Sequence, residues 1–173
     1  LSDGETPATV QPALWRLALL NTLRGLCELT AGVIQVRGFY LSTISSFRGA
    51  PACFVSNPLT TADSARAALD FINEELGERP VTTVIYTHSH VDHFGGVRGV
   101  VDEADVTAGR VRIVAPEGFM HHAISENVLA GNAMSRRASY MFGRTLPPAA
   151  DAQVDTGLGR TTSLGTVTLI PPT

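Results

Sequence analysis

The residues with the clearest chemistry lie in the stretch Thr87–His93, which reads THSHVDH and follows a short apolar run. It holds three of the chain's five histidines, His88, His90 and His93, together with Asp92. Imidazole nitrogen and carboxylate oxygen are the ligands that zinc and similar divalent ions prefer. Because a tight loop after a strand can direct alternate side chains to one point, His88 and His90 can share one metal ion. Asp92 and His93 can serve a second, and two ions about 3.5–4 Å apart can hold a hydroxide and the oxygens of a substrate.

A purely structural role is the alternative for this stretch. A single histidine is most often an ordinary core or surface residue. Four ligand-type residues at this spacing, followed by Gly95 and Gly96, are instead typical of a metal site. The metal-site interpretation is therefore favoured over the structural one.

Length and composition predict one folded domain. The chain has 173 residues, of which 44% are hydrophobic and 17% charged, and these values suit a globular core. The formal net charge is −3 with both signs spread along the chain, so no nucleic-acid partner is expected. No apolar run approaches the ~20 residues of a membrane span, so none is expected.

The elements that position the stretch follow from its surroundings. Residues Thr60–Leu76 carry an apolar stripe at helical spacing and are followed by Gly77, which predicts a helix with a glycine stop. Residues Val81–Tyr86 are mostly apolar and β-branched, which predicts a buried strand and, with the preceding strand and helix, parallel α/β packing. The other predicted elements are a loose lead-in over residues 1–12, a helix over 13–20, strands over 33–36, 39–44, 52–56, 111–115 and 167–170, a short helix over 97–101 and a long mixed helical segment over 117–140.

Several stretches resemble a known family. The run His88–His93 matches the HxHxDH signature of the metallo-β-lactamase fold superfamily, which includes β-lactamases, thioesterases, nucleases and sulfatases. Longer stretches look like the alkyl sulfatase family within it: IYTHSHVDHFGGV at 85–97, APEGFM at 115–120, SENV at 125–128 and AGNAMSRR at 130–137. The resemblance covers nearly all of the chain from Trp15 onward. SENV and AGNAMSRR are its specific parts, because many enzymes share the metal loop.

The resemblance implies an α/β fold of αββα layers that binds two Zn²⁺ ions. His88 and His90 would bind the first ion, and Asp92 and His93 the second; the family completes the site with two glutamates and a histidine further along. Residues 1–173 would be the N-terminal part of the catalytic domain, without its remainder, its helical dimerisation region or its C-terminal lipid-transfer-like domain. Both ends of the chain are accordingly expected to be cuts in a longer protein.

The activity that the resemblance implies is hydrolysis of an alkyl sulfate, such as dodecyl sulfate, to an alcohol and inorganic sulfate. A metal-activated water would attack, and no side chain is assigned as catalytic beyond it. The full-length protein is expected to be a homodimer. Two alternatives stay open: another hydrolase of the same fold, such as a lactamase or thioesterase, and a chain that is non-catalytic by itself.

One position departs from the family pattern, and four other residues are considered for a role in the site. The family often has Asp-Pro-Leu where this chain has Asn57-Pro58-Leu59, and loss of that carboxylate removes some hydrogen-bond support for a histidine ligand. Ser135 and Arg136 are candidate sulfate contacts, although an exposed helical face is the favoured interpretation of the arginine. Glu117 and Glu126 have ligand chemistry but are left out, because the family's metal glutamates come later.

Overall fold

The computed structural model describes residues 5–159 and 165–173. Its helices are α1 (Pro12–Leu20), α2 (Ala62–Leu76), α3 (Glu103–Thr107), α4 (Phe119–Ile124) and α5 (Gly131–Met141). Its strands are β1 (Gly25–Thr30), β2 (Val33–Arg37), β3 (Ile44–Arg48), β4 (Cys53–Ser56), β5 (Val81–Ile85) and β6 (Arg112–Val114). Two 3₁₀ turns lie at Val91–His93 and Val97–Gly99, and a π-helical turn, Ser125–Leu129, joins α4 to α5.

The six strands of the described part form one mixed sheet in the order β1-β2-β3-β4-β5-β6. The first four pair antiparallel, whereas β4, β5 and β6 are parallel. The connection from β4 to β5 passes through α2, as the sequence predicted. The α/β class with a mixed sheet and flanking helices is thus confirmed. Because parallel strands end at the same edge, the residues that follow β4, β5 and β6 meet there, where open α/β sheets bind ligands.

Helix α2 shows how the sequence sets this frame. Its first turn is capped by Thr61, whose hydroxyl accepts a hydrogen bond from the Ser64 N–H at 3.3 Å. The apolar stripe of the helix is buried in the same core as β4, β5 and β6, and the helix ends at Gly77, whose φ of 80° disfavours other residues. The buried residues of the stripe are Ala65, Ala68, Leu69 and Ile72.

The turn after the histidine stretch packs against the backbone that leads into α2. A Cβ at Gly96 would lie 2.1 Å from the Pro58 carbonyl oxygen and 2.7 Å from that of Thr61. A Cβ at Gly95 would lie 2.3 Å from the Thr60 oxygen. Both glycines are therefore required by close backbone approach.

Three element predictions are corrected, and one strand was missed. The strand predicted over 39–44 begins only at Ile44, because Gly38, with φ of 79°, starts a series of bends. Strand β1 was not predicted. The segment 117–140 is divided by the π-helical turn. The strand predicted over 167–170 joins no ladder within the described residues; the N–H and the hydroxyl of Thr168 instead both donate to the Gly95 oxygen, at 2.7 and 3.0 Å.

No helix in the described part of the chain is long and apolar enough to span a bilayer.

Candidate metal centre

The histidine stretch leaves the sheet at the end of β5. Tyr86, the residue after the strand, is fully buried; its N–H donates to the Val114 oxygen at 2.9 Å and its hydroxyl to the Ile170 oxygen at 3.0 Å. The chain then leaves the core, so that His88 is half-buried and His90 is exposed. The strand thus fixes the start of the loop that carries the candidate ligands.

The predicted ligands are neighbours in space. The His88 ring lies between two others, with centroids 4.6 Å from His90 and 4.1 Å from His93. His93 Nε2 lies 3.3 Å from Asp92 Oδ2. The backbone of this loop is held from the β2–β3 connection, where the buried Ser42 hydroxyl donates to the Asp92 carbonyl oxygen at 2.5 Å.

The arrangement does not by itself make a complete coordination shell. Within residues 5–159 and 165–173, no group of three or more His, Cys, Asp or Glu side chains is placed to hold a metal ion. A catalytic zinc usually takes three ligands from the protein. The assignment of one pair of ligands to each of two ions therefore stays a prediction.

Hydrogen bonds at the strand ends determine which nitrogen of His88 is free. The Thr87 hydroxyl has one hydrogen and donates it to Asn57 Oδ1 at 2.6 Å. Its 3.0 Å contact with His88 Nδ1 must then be donated by the ring. His88 carries its proton on Nδ1, and its Nε2 lone pair is available. The Asn57 amide oxygen thus supplies an acceptor at the position where the family often has aspartate.

The ionisation of the loop suits cation binding. Burial and the nearby charges of His93 and His90 lower the pKa of His88, which favours the neutral imidazole that binds metals. Burial of Asp92 acts to raise the pKa of its carboxyl, but the hydrogen bond and charge of His93 outweigh burial and hold that pKa below its usual range. At neutral pH, His88 therefore presents a neutral imidazole and Asp92 an ionised carboxylate.

One buried atom in the loop lacks a partner. His93 Nδ1 has no hydrogen-bond partner among the described residues, which is unusual for a buried ring nitrogen. Together with the donor types and the His88 tautomer, this atom fits a site that takes a cation. The donor atoms are of the types that zinc binds. Among the described residues, however, fewer of them converge on one point than a zinc ion requires.

A neighbouring segment holds the loop from the other side. Glu126, in the π-helical turn, accepts the Ser89 hydroxyl at 2.9 Å through Oε2, and its Oε1 lies 3.0 Å from His90 Nε2. The Asn127 amide donates to the Ser89 carbonyl oxygen at 2.9 Å. Sequence reasoning left Glu126 out of the site. The signal that was available is the SENV stretch, which was recognised as specific but given no role.

Other charged or titratable residues on α4, on α5 and before α4 lie outside this cluster. Arg136 and Arg137 are exposed on α5, which agrees with the favoured interpretation of a solvated helical face. His121 and His122 are exposed on α4, where their ring centroids lie 5.4 Å apart. Glu117 is also exposed.

The chain is similar to alkylsulfatases over its whole length. A linear primary-alkylsulfatase from Pseudomonas sp. is 55% identical, over 100% of this chain and 26% of its own length. An alkyl/aryl-sulfatase from Saccharomyces cerevisiae is 49% identical, over 99% of this chain and 27% of its own length. The solved structure of a stereoselective inverting sec-alkylsulfatase from Pseudomonas sp. matches with a TM-score of 0.92 and 47% identity, over 99% of this chain and 27% of that one.

These comparisons bear on the family and on the extent of the match. The chain spans 26–27% of the length of these relatives. A family model described as the Metallo-beta-lactamase superfamily matches residues 54–173, which include β4 to β6 and the histidine loop. The resemblance to alkylsulfatases is confirmed, and the chain belongs to the metallo-β-lactamase superfamily.

Proposed function

We propose that this chain forms part of the active site of a zinc-dependent alkyl sulfate ester hydrolase. The observation that carries the proposal is the cluster of the His88, His90 and His93 rings at the end of β5. It occurs in a chain that is 55% identical throughout to a linear primary-alkylsulfatase. The substrate would be an alkyl sulfate such as dodecyl sulfate, and the products an alcohol and inorganic sulfate.

We assign one pair of loop residues to each zinc ion. His88, through its free Nε2, and His90 would hold one zinc ion, and Asp92 with His93 would hold a second. When bound, two zinc ions would supply a water whose pKa is lowered toward about 7 and positive charge beside the sulfate group. The chain's own residues set up this site: Thr87 fixes the tautomer of His88, and Ser42 holds the backbone at Asp92.

Activity of the full-length protein tests the proposal. We expect release of sulfate from dodecyl sulfate, loss of that activity after thorough chelation and its return with added zinc. His88→Ala should reduce activity by several orders of magnitude. His121→Ala is the matched control, since it removes an exposed histidine outside the cluster and should leave activity unchanged.

The alternative hydrolases are tested in the same assay. A cephalosporin and an acyl thioester are offered to the zinc-loaded protein under identical conditions. Cleavage of either one without release of sulfate would reject the sulfatase assignment. Full activity after chelation would reject the metal site itself.

A second candidate is that the 173-residue chain does no catalysis alone. The observation in its favour is that no group of three or more ligand side chains is placed to hold a metal among the described residues. We expect weak zinc binding and little turnover by this chain in isolation. Tight binding of two zinc ions per chain in a titration would contradict this expectation.

A further inference from the structure

The π-helical turn Ser125–Leu129 is the unassigned feature closest to the candidate metal loop. Its defining hydrogen bond runs from the Ala130 N–H to the Ser125 oxygen, 2.9 Å apart. Such turns add a residue to a helix and are frequent at functional sites. Here two consecutive residues, Glu126 and Asn127, both bond to the histidine loop.

Glu126 touches the loop through both of its carboxylate oxygens. Oε2 accepts the Ser89 hydroxyl at 2.9 Å, and Oε1 lies 3.0 Å from His90 Nε2. A carboxylate only accepts hydrogen bonds, so an oxygen 3.0 Å away favours the form of His90 that carries its proton on Nε2. In that tautomer the free lone pair of His90 lies on Nδ1.

The carboxylate is itself held in place. The Asn127 amide donates to both the Ser89 and the Ala123 carbonyl oxygens, each at 2.9 Å, and so ties α4 to the loop. The Glu126 side chain is only 24% exposed, whereas His90 is 56% exposed. The carboxylate is therefore the less exposed partner of the pair, and it is placed to orient the more exposed ring.

We propose that Glu126 is a positioning residue that orients His90 to bind metal through Nδ1, and that this is what the SENV stretch does. The inference rests on the proposed function, because it presumes that His90 is a ligand. Histidine ligands commonly donate their second nitrogen to a carboxylate, and loss of such a partner typically costs about 10–100-fold in metal affinity or activity. Glu126 would act through His90 without touching the metal.

Zinc affinity of the full-length protein, measured by competition with a chromophoric chelator, tests this role. Glu126→Ala should weaken zinc binding by about 10–100-fold. Glu126→Gln keeps an oxygen that can accept from His90 Nε2 and should retain most of the affinity. Glu117→Ala removes an exposed carboxylate away from the loop and should bind zinc as the wild type does. Ser89→Ala, which frees Oε2 alone, should give a smaller loss in the same direction.

The outcomes separate this inference from the proposed function. If the wild type binds no zinc, the metal site fails and the inference with it. If the wild type binds zinc and Glu126→Ala binds equally well, only the inference is overturned. Equal losses in Glu126→Ala and Glu126→Gln would make Glu126 a ligand and also overturn it. A crystal structure of the zinc-loaded protein supplies a second readout: Nδ1 of His90 facing the ion supports the inference, and Nε2 facing it refutes the inference.

Discussion

Gly96 lies where the histidine loop meets the chain that leads into α2, and its replacement gives the sharpest test of the fold. In Gly96→Ala the new Cβ would lie 2.1 Å from the Pro58 oxygen, 2.7 Å from the Thr61 oxygen and 2.8 Å from the Ala65 Cβ. Ordinary contact begins at 3.4 Å, so the Pro58 oxygen alone would have to move by about 1.3 Å. Two of the three atoms are backbone and cannot rotate away.

The expected cost follows from this geometry. Overpacking a core costs about 1–3 kcal/mol and occasionally more, and a clash with two backbone oxygens belongs at the upper end. We therefore expect Gly96→Ala to lower the free energy of unfolding by about 3 kcal/mol, which is a large share of the total stability of a domain. Equilibrium unfolding in urea measures this as a lower midpoint with an unchanged slope.

The matched control is the same substitution at Gly131. A Cβ there meets no described atom within 4 Å, and the residue begins helix α5. Gly131→Ala should be neutral or stabilising by up to about 1 kcal/mol, because alanine restricts the unfolded chain more than glycine does. An unfolding midpoint for Gly96→Ala equal to that of the wild type would refute the close-approach argument.

Three further predictions concern the strand end and the loop. Thr87→Val removes the hydroxyl between Asn57 and His88 and should lower zinc affinity of the full-length protein about tenfold, whereas Thr87→Ser should restore it; equal affinity of all three proteins would argue against the hydroxyl's role. Tyr86→Phe should cost about 1 kcal/mol in urea unfolding, because the Ile170 oxygen loses its donor. Burial also raises the pKa of the Tyr86 hydroxyl in the folded protein. The stability that this hydroxyl contributes is therefore complete below about pH 10 and is lost as the pH rises above it. In Tyr86→Phe, the free energy of unfolding should no longer show this decrease at alkaline pH. Ser42→Ala should loosen the loop at Asp92 and lower zinc affinity without changing the His88 tautomer, which nitrogen NMR of the ring can follow.

The sequence pattern within single segments was sufficient to predict the helix and the strand nearest the site. The stripe of α2, the Gly77 stop and the apolar run before the histidines each carry their signal within one segment, and the structure has them close to where they were predicted. Their parallel arrangement followed from the order of strand, helix and strand. The candidate ligands were likewise identified from four positions of one loop, and the structure places their side chains close together.

Contacts between distant segments had no such signal. The pairing of Glu126 with His90 spans 36 positions and depends on a π-helical turn that no periodicity indicates. The Thr87–Asn57 bond depends on β4 and β5 being parallel neighbours in register. The strand predicted over 167–170 was wrong because β-branched residues favour extended backbone even where the chain makes isolated hydrogen bonds, such as those of Thr168 to Gly95, instead of a ladder.

The direction of the parallel strands separates two kinds of surface. The candidate ligands follow the carboxyl end of β5, whereas Gly77 and Gly109 precede β5 and β6 at the opposite edge. A Cβ at either glycine meets no described atom within 4 Å, although both have positive φ. Insertions are therefore best introduced beside these two glycines, which must themselves be kept because of their positive φ, so that an added group lies at the opposite edge from the loop.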